Sequence, residues 1–243
     1  MAMSRNARAY TAFAIAWAIL AALAGLLLAY TVMGDAAAHP AASPAAAAND
    51  AADDGFPEVD WDYWLSVNGD IVGWISIPGT EVSYPIAQAR PSDPSYYLTH
   101  DVYGNVNVYG AVYLDAGCAD AGLDSDNAVI FGHHMNDGSM LAAVADYSDE
   151  GFMRECGTVQ LQTPSRKWTV EVRAAEVCPG WSATKRTAFS DKQDFRAYWE
   201  ERMAASLVTR DVDTASPPWK MTTLVTCSYR FTPSDERTLA YCW

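Results

Sequence analysis

Residues 223–243 read TLVTCSYRFTPSDERTLAYCW, and this stretch predicts a β-hairpin at the end of the chain. Side chains alternate along the first part, and TPSD is a turn signal, which together are typical of two strands joined by a turn. Thr223, Val225 and Cys227 would share one face of the first strand. Cys227 has two interpretations, a packed core residue or a nucleophile, since free cysteine is among the most buried residue types.

Two arginines follow Cys227, and strand geometry treats them differently. Arg230 lies three residues past Cys227, so in a continuing strand its side chain faces away from the thiol. Arg237 lies on the return strand and shares the face of Cys227 only if the hairpin loop holds an odd number of residues. The register of the hairpin therefore decides whether Arg237 meets Cys227 or is a surface charge.

The preceding part of the chain predicts a mainly β fold. Short alternating runs stand between turn signals, and many such runs in one chain indicate a barrel or a sandwich. These runs are IVGWISI, EVSYPIAQ, NVYGAVYLD, NAVIFGHH, GTVQLQT, KWTVEVRAAEV and TTLVTCSY.

Three segments have helical spacing. A short helix is predicted over about 58–67, and another in GSMLAAVADYSD, which follows the adjacent histidines. The segment SDKQDFRAYWEERMAASLVT predicts a longer helix, with Ser190 as its N-cap.

The N-terminal part of the chain predicts a membrane anchor. Residues 1–8 carry Arg5 and Arg8, and residues 9–33 hold no charge over a length sufficient to cross a bilayer. Basic residues before the span place 1–8 in the cytoplasm and the rest outside, as a single-pass protein. A cleaved signal peptide is the alternative. Residues 34–56, rich in Ala, Pro and Asp, read as a linker, and 57–243 as the folded domain.

Charge and cysteine content exclude several classes. The formal net charge of −14 argues against a nucleic-acid partner, which needs clustered Lys and Arg. The five cysteines include no CxxC pair, so neither a zinc site nor another metal or cofactor is expected. Pairing Cys242 with Cys227 would disable the thiol, so we expect Cys242 to be a reduced core residue on the last strand.

The histidines raise the odds that Cys227 is reactive. The chain holds four, and the adjacent His133 and His134 follow a glycine at the end of the run NAVIFG. A thiol needs a base or cation beside it, because the thiolate is the nucleophile. A strand-end cysteine, a strand-end histidine and an arginine together make a candidate catalytic site. If the strand continues, His134 should point to the face opposite to that of His133.

These motifs resemble the sortases, the membrane-anchored cysteine transpeptidases of Gram-positive bacteria. The family signature TLxTC is matched by Thr223, Leu224, Thr226 and Cys227. The segments GWISIPGTEVSYPIAQ, YYL and GHHMNDGSML, with the long helix before TLVTC, resemble class B in order and spacing. The resemblance covers roughly residues 57–243 and implies a closed β-barrel of about eight strands. It also implies an N-terminal helix and a long helix before the strand of the cysteine.

Site residues follow from the resemblance position by position. Cys227 would be the nucleophile, His133 its proton partner, and Arg237 the essential arginine. The substrate-binding candidates are Tyr97, Leu98, Val225 and Thr226. The class B pattern DNxYYL reads SDPSYYL here, so Pro94 replaces an asparagine that would make a polar contact to the substrate.

The resemblance also implies a reaction and partners. The enzyme would cleave an exported protein after the Thr of a Pro-x-Thr-type sorting signal and form a thioacyl-enzyme. It would then transfer the acyl group to an amine of a peptidoglycan precursor or to a lysine. Two alternatives stay open: a hydrolytic cysteine peptidase and a non-catalytic module that binds wall proteins.

Overall fold

The computed structural model describes residues 54–183, 185–228 and 235–243. The predicted cytoplasmic segment, membrane anchor and most of the linker precede the described residues and lie outside them, and Arg230 also lies outside them. Within the described ranges, no helix is long and apolar enough to cross a membrane.

The described chain forms one mixed β-sheet that closes into a barrel. Eight strands follow one another around it in the order β5-β1-β2-β3-β4-β8-β9-β6, and β5 also pairs with β6. The short β7 extends the sheet beyond β6. The strands are β1 Ile71–Ser76, β2 Ser83–Gln88, β3 Val112–Leu114, β4 Asn127–Phe131, β5 Thr158–Thr163, β6 Arg166–Pro179, β7 Val208–Thr209, β8 Met221–Cys227 and β9 Glu236–Cys242. The closed barrel of about eight strands is confirmed.

Two neighbouring strand pairs are parallel, namely β2 with β3 and β4 with β8. The parallel pairing of β4 with β8 has a functional consequence. Parallel strands end at the same edge of the sheet, so the residues that follow Phe131 come out beside Cys227.

The helices differ from the predicted ones at their beginnings. The first helix, α1, spans Trp61–Val67, because the Asp60 side chain accepts a hydrogen bond from the Tyr63 amide and caps it. The segment after the histidines is a 3-10 helix over Ala142–Ser148, and it is followed by the helix α2 over Glu150–Glu155.

The long helix before β8 is confirmed, with a corrected start. This helix, α3, spans Lys192–Ala205, and its N-cap is Asp191, whose carboxylate accepts from two backbone amides. Ser190 instead donates its hydroxyl to the Asp194 carboxylate. Both amides donate to Oδ1 of Asp191, because a charged carboxylate is a stronger acceptor for the free amides of the first turn than a serine hydroxyl.

Apolar side chains pack on both sides of the sheet. The barrel interior is filled by aliphatic residues such as Ile75, Ile86, Leu114, Ile130, Leu161 and Leu224. On the outer face of β4, β8, β9 and β6, residues of the sheet pack against α3. That outer cluster includes Val129, Val225, Leu239, Tyr241, Phe195, Tyr198 and Trp199. Val225 and Cys227 share a face of β8, so Cys227 lies on the outer face, just past the region that α3 covers.

Cys242 ends β9 within the barrel core. Its side chain is fully buried, and it forms no disulfide. Burial raises the pKa of this thiol well above the usual range, so it stays protonated at neutral pH.

Candidate active site

The register of the terminal hairpin places Cys227 directly opposite Arg237. Directly opposed residues of antiparallel strands point to the same side, with Cα atoms about 5 Å apart. The condition that sequence alone could not settle is therefore met for Arg237. On its other side, Arg237 is opposite Cys178 of β6. Cys178, Arg237 and Cys227 thus form one row across three neighbouring strands on the outer face.

The end of β4 extends this row by one residue. Phe131 pairs with Val225, and the Gly132 amide donates to the Val225 carbonyl at 3.2 Å. The Thr226 hydroxyl donates to the Gly132 carbonyl at 3.0 Å. His133 follows Gly132 directly, past the last paired residue of β4, at the edge of the sheet where β8 ends in Cys227. We name the four residues Cys178, Arg237, Cys227 and His133 the outer row.

Close packing against Leu141 leaves no room for a side chain at Gly132, the residue before His133. A Cβ at this position would lie 2.5 Å from Cγ of Leu141, whose side chain is fully buried. The Leu141 amide also donates to the His133 carbonyl at 2.9 Å. The Gly-His pair thus lets the chain leave β4 closely against the core while the histidine stays at the sheet edge.

His133 is held by the backbone of a distant loop. Its Nε2 lies 2.8 Å from the Leu98 carbonyl oxygen. A carbonyl can only accept, so Nε2 carries the hydrogen and donates. In the neutral ring, Nδ1 is then the nitrogen that can take up a proton.

His134 does not take the predicted position on the opposite face of a continuing strand. Strand β4 ends at Phe131, and the His134 Nδ1 donates to the Cys227 carbonyl at 2.7 Å. The second histidine therefore fixes the backbone of the cysteine. Sequence reasoning missed this contact, because it depends on where the regular pairing of β4 stops.

Arg237 keeps most of its hydrogen-bonding capacity. Its Nη1 donates to the carbonyls of Asp235 at 2.6 Å and Glu236 at 3.1 Å. Among the described residues, no carboxylate lies within ion-pair distance of this guanidinium. The Arg237 side chain is half-buried beside Gly180.

The four substrate-binding candidates differ in accessibility. Leu98 is 40 % exposed, on the loop whose carbonyl holds His133. Tyr97 is 1 % exposed, and its hydroxyl donates to Asp70 at 2.9 Å. Val225 and Thr226 are 5 % and 2 % exposed. Of these four, Leu98 alone is exposed to solvent, and the other three are buried.

Two residues near the outer row carried no signal in the sequence. Trp181 is 83 % exposed on the turn after β6, next to Gly180 and therefore close to Arg237. Phe131 stacks on Tyr113, with ring centroids 5.3 Å apart. The Lys185 ammonium lies 5.2 Å from the centroid of the Phe131 ring. Exposed and half-buried aromatic side chains are common ligand contacts.

The arrangement suits nucleophilic chemistry. The described residues contain no cluster of three or more His, Cys, Asp or Glu that could hold a metal ion. Within the same residues, Cys227 Sγ forms no hydrogen bond, the thiol is partly exposed, and Arg237 lies opposite Cys227 in the terminal hairpin. A thiol with a proton acceptor on one side and a fixed cation on the other can attack a carbonyl group.

Comparisons with known proteins point to one family. No protein-family model matches the chain. Sortase B of Listeria monocytogenes is 31 % identical over 161 residues, which cover 66 % of this chain and 64 % of that protein. Sortase B of Staphylococcus aureus is 26 % identical over 171 residues, which cover 70 % of this chain and 68 % of that protein. The chain thus spans slightly less than two thirds of the length of the Listeria relative.

The fold is also similar to that of solved sortase B structures. The solved Staphylococcus aureus sortase B–substrate complex superposes with a TM-score of 0.64 at 24 % sequence identity. The match covers 75 % of this chain and 82 % of that one.

Proposed function

The chain belongs to the class B sortase family, and from this premise we propose that it is a cysteine transpeptidase of exported proteins. Cys227 is the nucleophile, His133 the proton carrier and Arg237 the cationic stabiliser. The observation that supports this proposal is the hairpin register, which pairs Cys227 with Arg237, together with the parallel pairing of β4 with β8, which ends two residues before His133 and Cys227.

The first half of the reaction acylates the enzyme. The Nδ1 atom of His133 takes the proton of the Cys227 thiol, and the resulting thiolate attacks the carbonyl carbon of the Thr in a sorting signal, so that a C–S bond forms. The negative charge that develops on the carbonyl oxygen is met by the Arg237 guanidinium, whose donors other than Nη1 have no partner among the described residues. The C–N bond then breaks, and His133 gives its proton to the departing amine.

The second half transfers the acyl group. An acceptor amine attacks the thioester carbon, His133 takes up the proton of that amine, and the C–S bond breaks to release the thiolate. The amine belongs to a peptidoglycan precursor or to a lysine of another protein. The Nε2–H of His133 stays bonded to the Leu98 carbonyl throughout, so the proton exchanged in both halves is carried at Nδ1.

The partners are exported proteins with a Pro-x-Thr-type signal. The likeness to a sortase B solved with a substrate supports an extended peptide in the cleft beside Leu98. Tyr97, Val225 and Thr226 are the buried members of the proposed substrate-binding set. The uncharged run 9–33 supports a single membrane anchor, with residues 1–8 in the cytoplasm and the catalytic domain 57–243 outside the cell.

A peptide library varied around Pro-x-Thr, incubated with and without an amine acceptor, tests the function. We expect cleavage after Thr and an amide product that forms only when the amine is present. Cys227→Ala and His133→Ala should each abolish cleavage, whereas Cys118→Ala, which changes a buried thiol of the barrel interior, should not. Acid as the sole product in the presence of amine would identify a hydrolytic peptidase. Cleavage that survives Cys227→Ala would refute the assignment.

A further inference from the structure

The hydrogen bond from His133 to the Leu98 carbonyl depends on a loop between β2 and β3 that is folded back on itself. The Asn107 amide donates to the Thr99 carbonyl at 2.8 Å, and the backbones of His100 and Val106 pair as an isolated antiparallel β-bridge. The returning arm of this loop leads to Gly110, whose neighbour Ala111 donates its amide to the Tyr97 carbonyl at 2.9 Å. The two arms are therefore paired along the stretch that presents the Leu98 carbonyl.

Gly110 occupies a place where no side chain fits. Its φ is +58°, a left-handed conformation that residues with a Cβ rarely adopt. A Cβ at this position would lie 2.4 Å from the Tyr97 carbonyl oxygen and 3.0 Å from the Leu98 carbonyl oxygen. Both atoms belong to the backbone, so relief of the clash requires movement of the backbone that holds His133.

The Tyr97 side chain prevents easy relief of that clash from the other side. Tyr97 is 1 % exposed, its hydroxyl donates to Asp70 at 2.9 Å, and it accepts from the Asn68 amide group at 2.9 Å. The backbone of 97–98 is thus fixed between Gly110 on one side and a buried tyrosine on the other. A displacement forced at Gly110 is expected to appear at the Leu98 carbonyl.

We propose that Gly110 is a positioning residue for His133, because its missing side chain lets the Leu98 carbonyl approach and hold the imidazole as its Nε2–H tautomer. The catalytic consequence rests on the proposed function, in which Nδ1 carries the proton. Without the carbonyl anchor, the ring can rotate and exchange tautomers, and the nitrogen beside Cys227 is no longer defined.

Gly110→Ala tests the proposal, with Gly122→Ala as a matched control. Gly122 has a φ of +59°, and nothing lies within 4 Å of the place its Cβ would take. Both substitutions therefore introduce the same backbone strain, but only the one at Gly110 pushes on the Leu98 carbonyl. The readout is the His133 tautomer, measured by ¹H–¹⁵N NMR of the imidazole in the full-length chain. The His133 signal is identified by its absence in His133→Gln.

We expect the Nε2–H tautomer in the wild type and in Gly122→Ala, and a mixture of tautomers in Gly110→Ala. In the peptide assay, Gly110→Ala should lower kcat on the order of 10²-fold, the effect of an ångström-scale misplacement of a reacting group, with little change in KM. If Gly110→Ala does not fold, Tyr97→Phe, which removes the hydroxyl anchor of the same loop, should loosen the tautomer instead.

An Nδ1–H tautomer in the wild type would overturn the proposal, as would an unchanged tautomer in folded Gly110→Ala. These outcomes are separate from a failure of the proposed function. A wild type that holds the Nε2–H tautomer but processes no sorting peptide would contradict the transpeptidase assignment and leave the role of Gly110 in orienting His133 intact.

Discussion

Two arginines over the same outer face of the barrel meet different partners. Arg202 of α3 is 5 % exposed, and its Nη1 lies 3.3 and 3.1 Å from the two carboxylate oxygens of Glu176 on β6. It also pairs with Glu201, and the Tyr241 hydroxyl donates to Glu176 at 2.8 Å. Arg237 is half-buried and donates to backbone carbonyls at the start of its own strand.

The two arginines differ in their partners: the Arg202 charge is paired with carboxylates, and the Arg237 guanidinium donates to backbone carbonyls. Glu176 and Cys178 are two residues apart on β6 and face the same side. Arg202 contacts Glu176 and Arg237 is paired with Cys178, so the two arginines lie near each other over one face of the sheet. Under α3, the charge of Arg202 is neutralised by carboxylates because a buried unpaired charge is costly. Arg237, which is opposite Cys227 in the hairpin, forms no ion pair with a carboxylate among the described residues.

The largest effect on stability should come from Arg202→Ala. The change leaves the Glu176 carboxylate buried without its cation, so we expect the free energy of unfolding to fall by about 3–5 kcal/mol. Urea denaturation of the full-length chain measures this loss. The double variant Arg202→Met with Glu176→Gln removes both charges and keeps an acceptor for Tyr241, so it should recover most of the stability. A loss no greater than that of Arg196→Ala, an exposed pair on the same helix, would contradict the structural role of Arg202.

The opposite pattern is expected for Arg237. Arg237→Ala should lower kcat on the order of 10²–10³-fold, the cost of removing one donor from a developing oxyanion, and leave the unfolding curve nearly unchanged. Arg237→Lys keeps the charge but loses the planar fork of donors, so it should restore only part of the activity. Peptide cleavage and urea denaturation of the same preparations separate the two effects. Full activity in Arg237→Ala would show that its charge is not used.

A smaller effect is expected at His134. Its Nδ1–H holds the Cys227 carbonyl, and Asn places a side-chain N–H near the same position. His134→Ala should therefore lower kcat about 2- to 12-fold, equivalent to the roughly 0.5–1.5 kcal/mol of one hydrogen bond, and His134→Asn should restore it. Steady-state kinetics of both variants measure the difference. Equal activities of the two variants would exclude a role for the donor at this position.

The smallest effect concerns Cys178, the neighbour of Arg237 on the side away from Cys227. Burial raises the pKa of the Cys178 thiol above its usual range, and the Glu176 carboxylate adds to the rise. A raised pKa leaves less thiolate at a given pH, so alkylation of Cys178 should need a higher pH than alkylation of free cysteine. Mass spectrometry of the labelled peptide follows this profile, and Cys178→Ala should retain activity. Labelling that begins below the pH range of free cysteine would refute the direction of the shift.

Sequence patterns predicted the barrel strands and the long helix well, because alternation and helical spacing are local properties. They also singled out Cys227, His133 and Arg237 as residue types that form a reactive site. They could not settle the register of the terminal hairpin, which depends on the loop between β8 and β9 as a whole. That register is what places Arg237 beside the thiol.

Other parts of the site leave no trace in a single sequence. The anchor of His133 is a backbone carbonyl, which every residue carries, so nothing at Leu98 distinguishes it. The contact of His134 arises because β4 stops one residue before Gly132, a tertiary event. Ser190 and Asp191 are both good N-cap residues, and the choice between them depends on one step of helix phase.

The intact mass of the enzyme mixed with a sorting peptide tests the central claim most directly. We predict an adduct equal in mass to the peptide part that ends at Thr, located on Cys227 by fragmentation and discharged faster by an added amine than by water. His133→Ala should not accumulate it. No adduct, or an adduct on one of the other four cysteines, would contradict the assignment of Cys227 as the transpeptidase nucleophile.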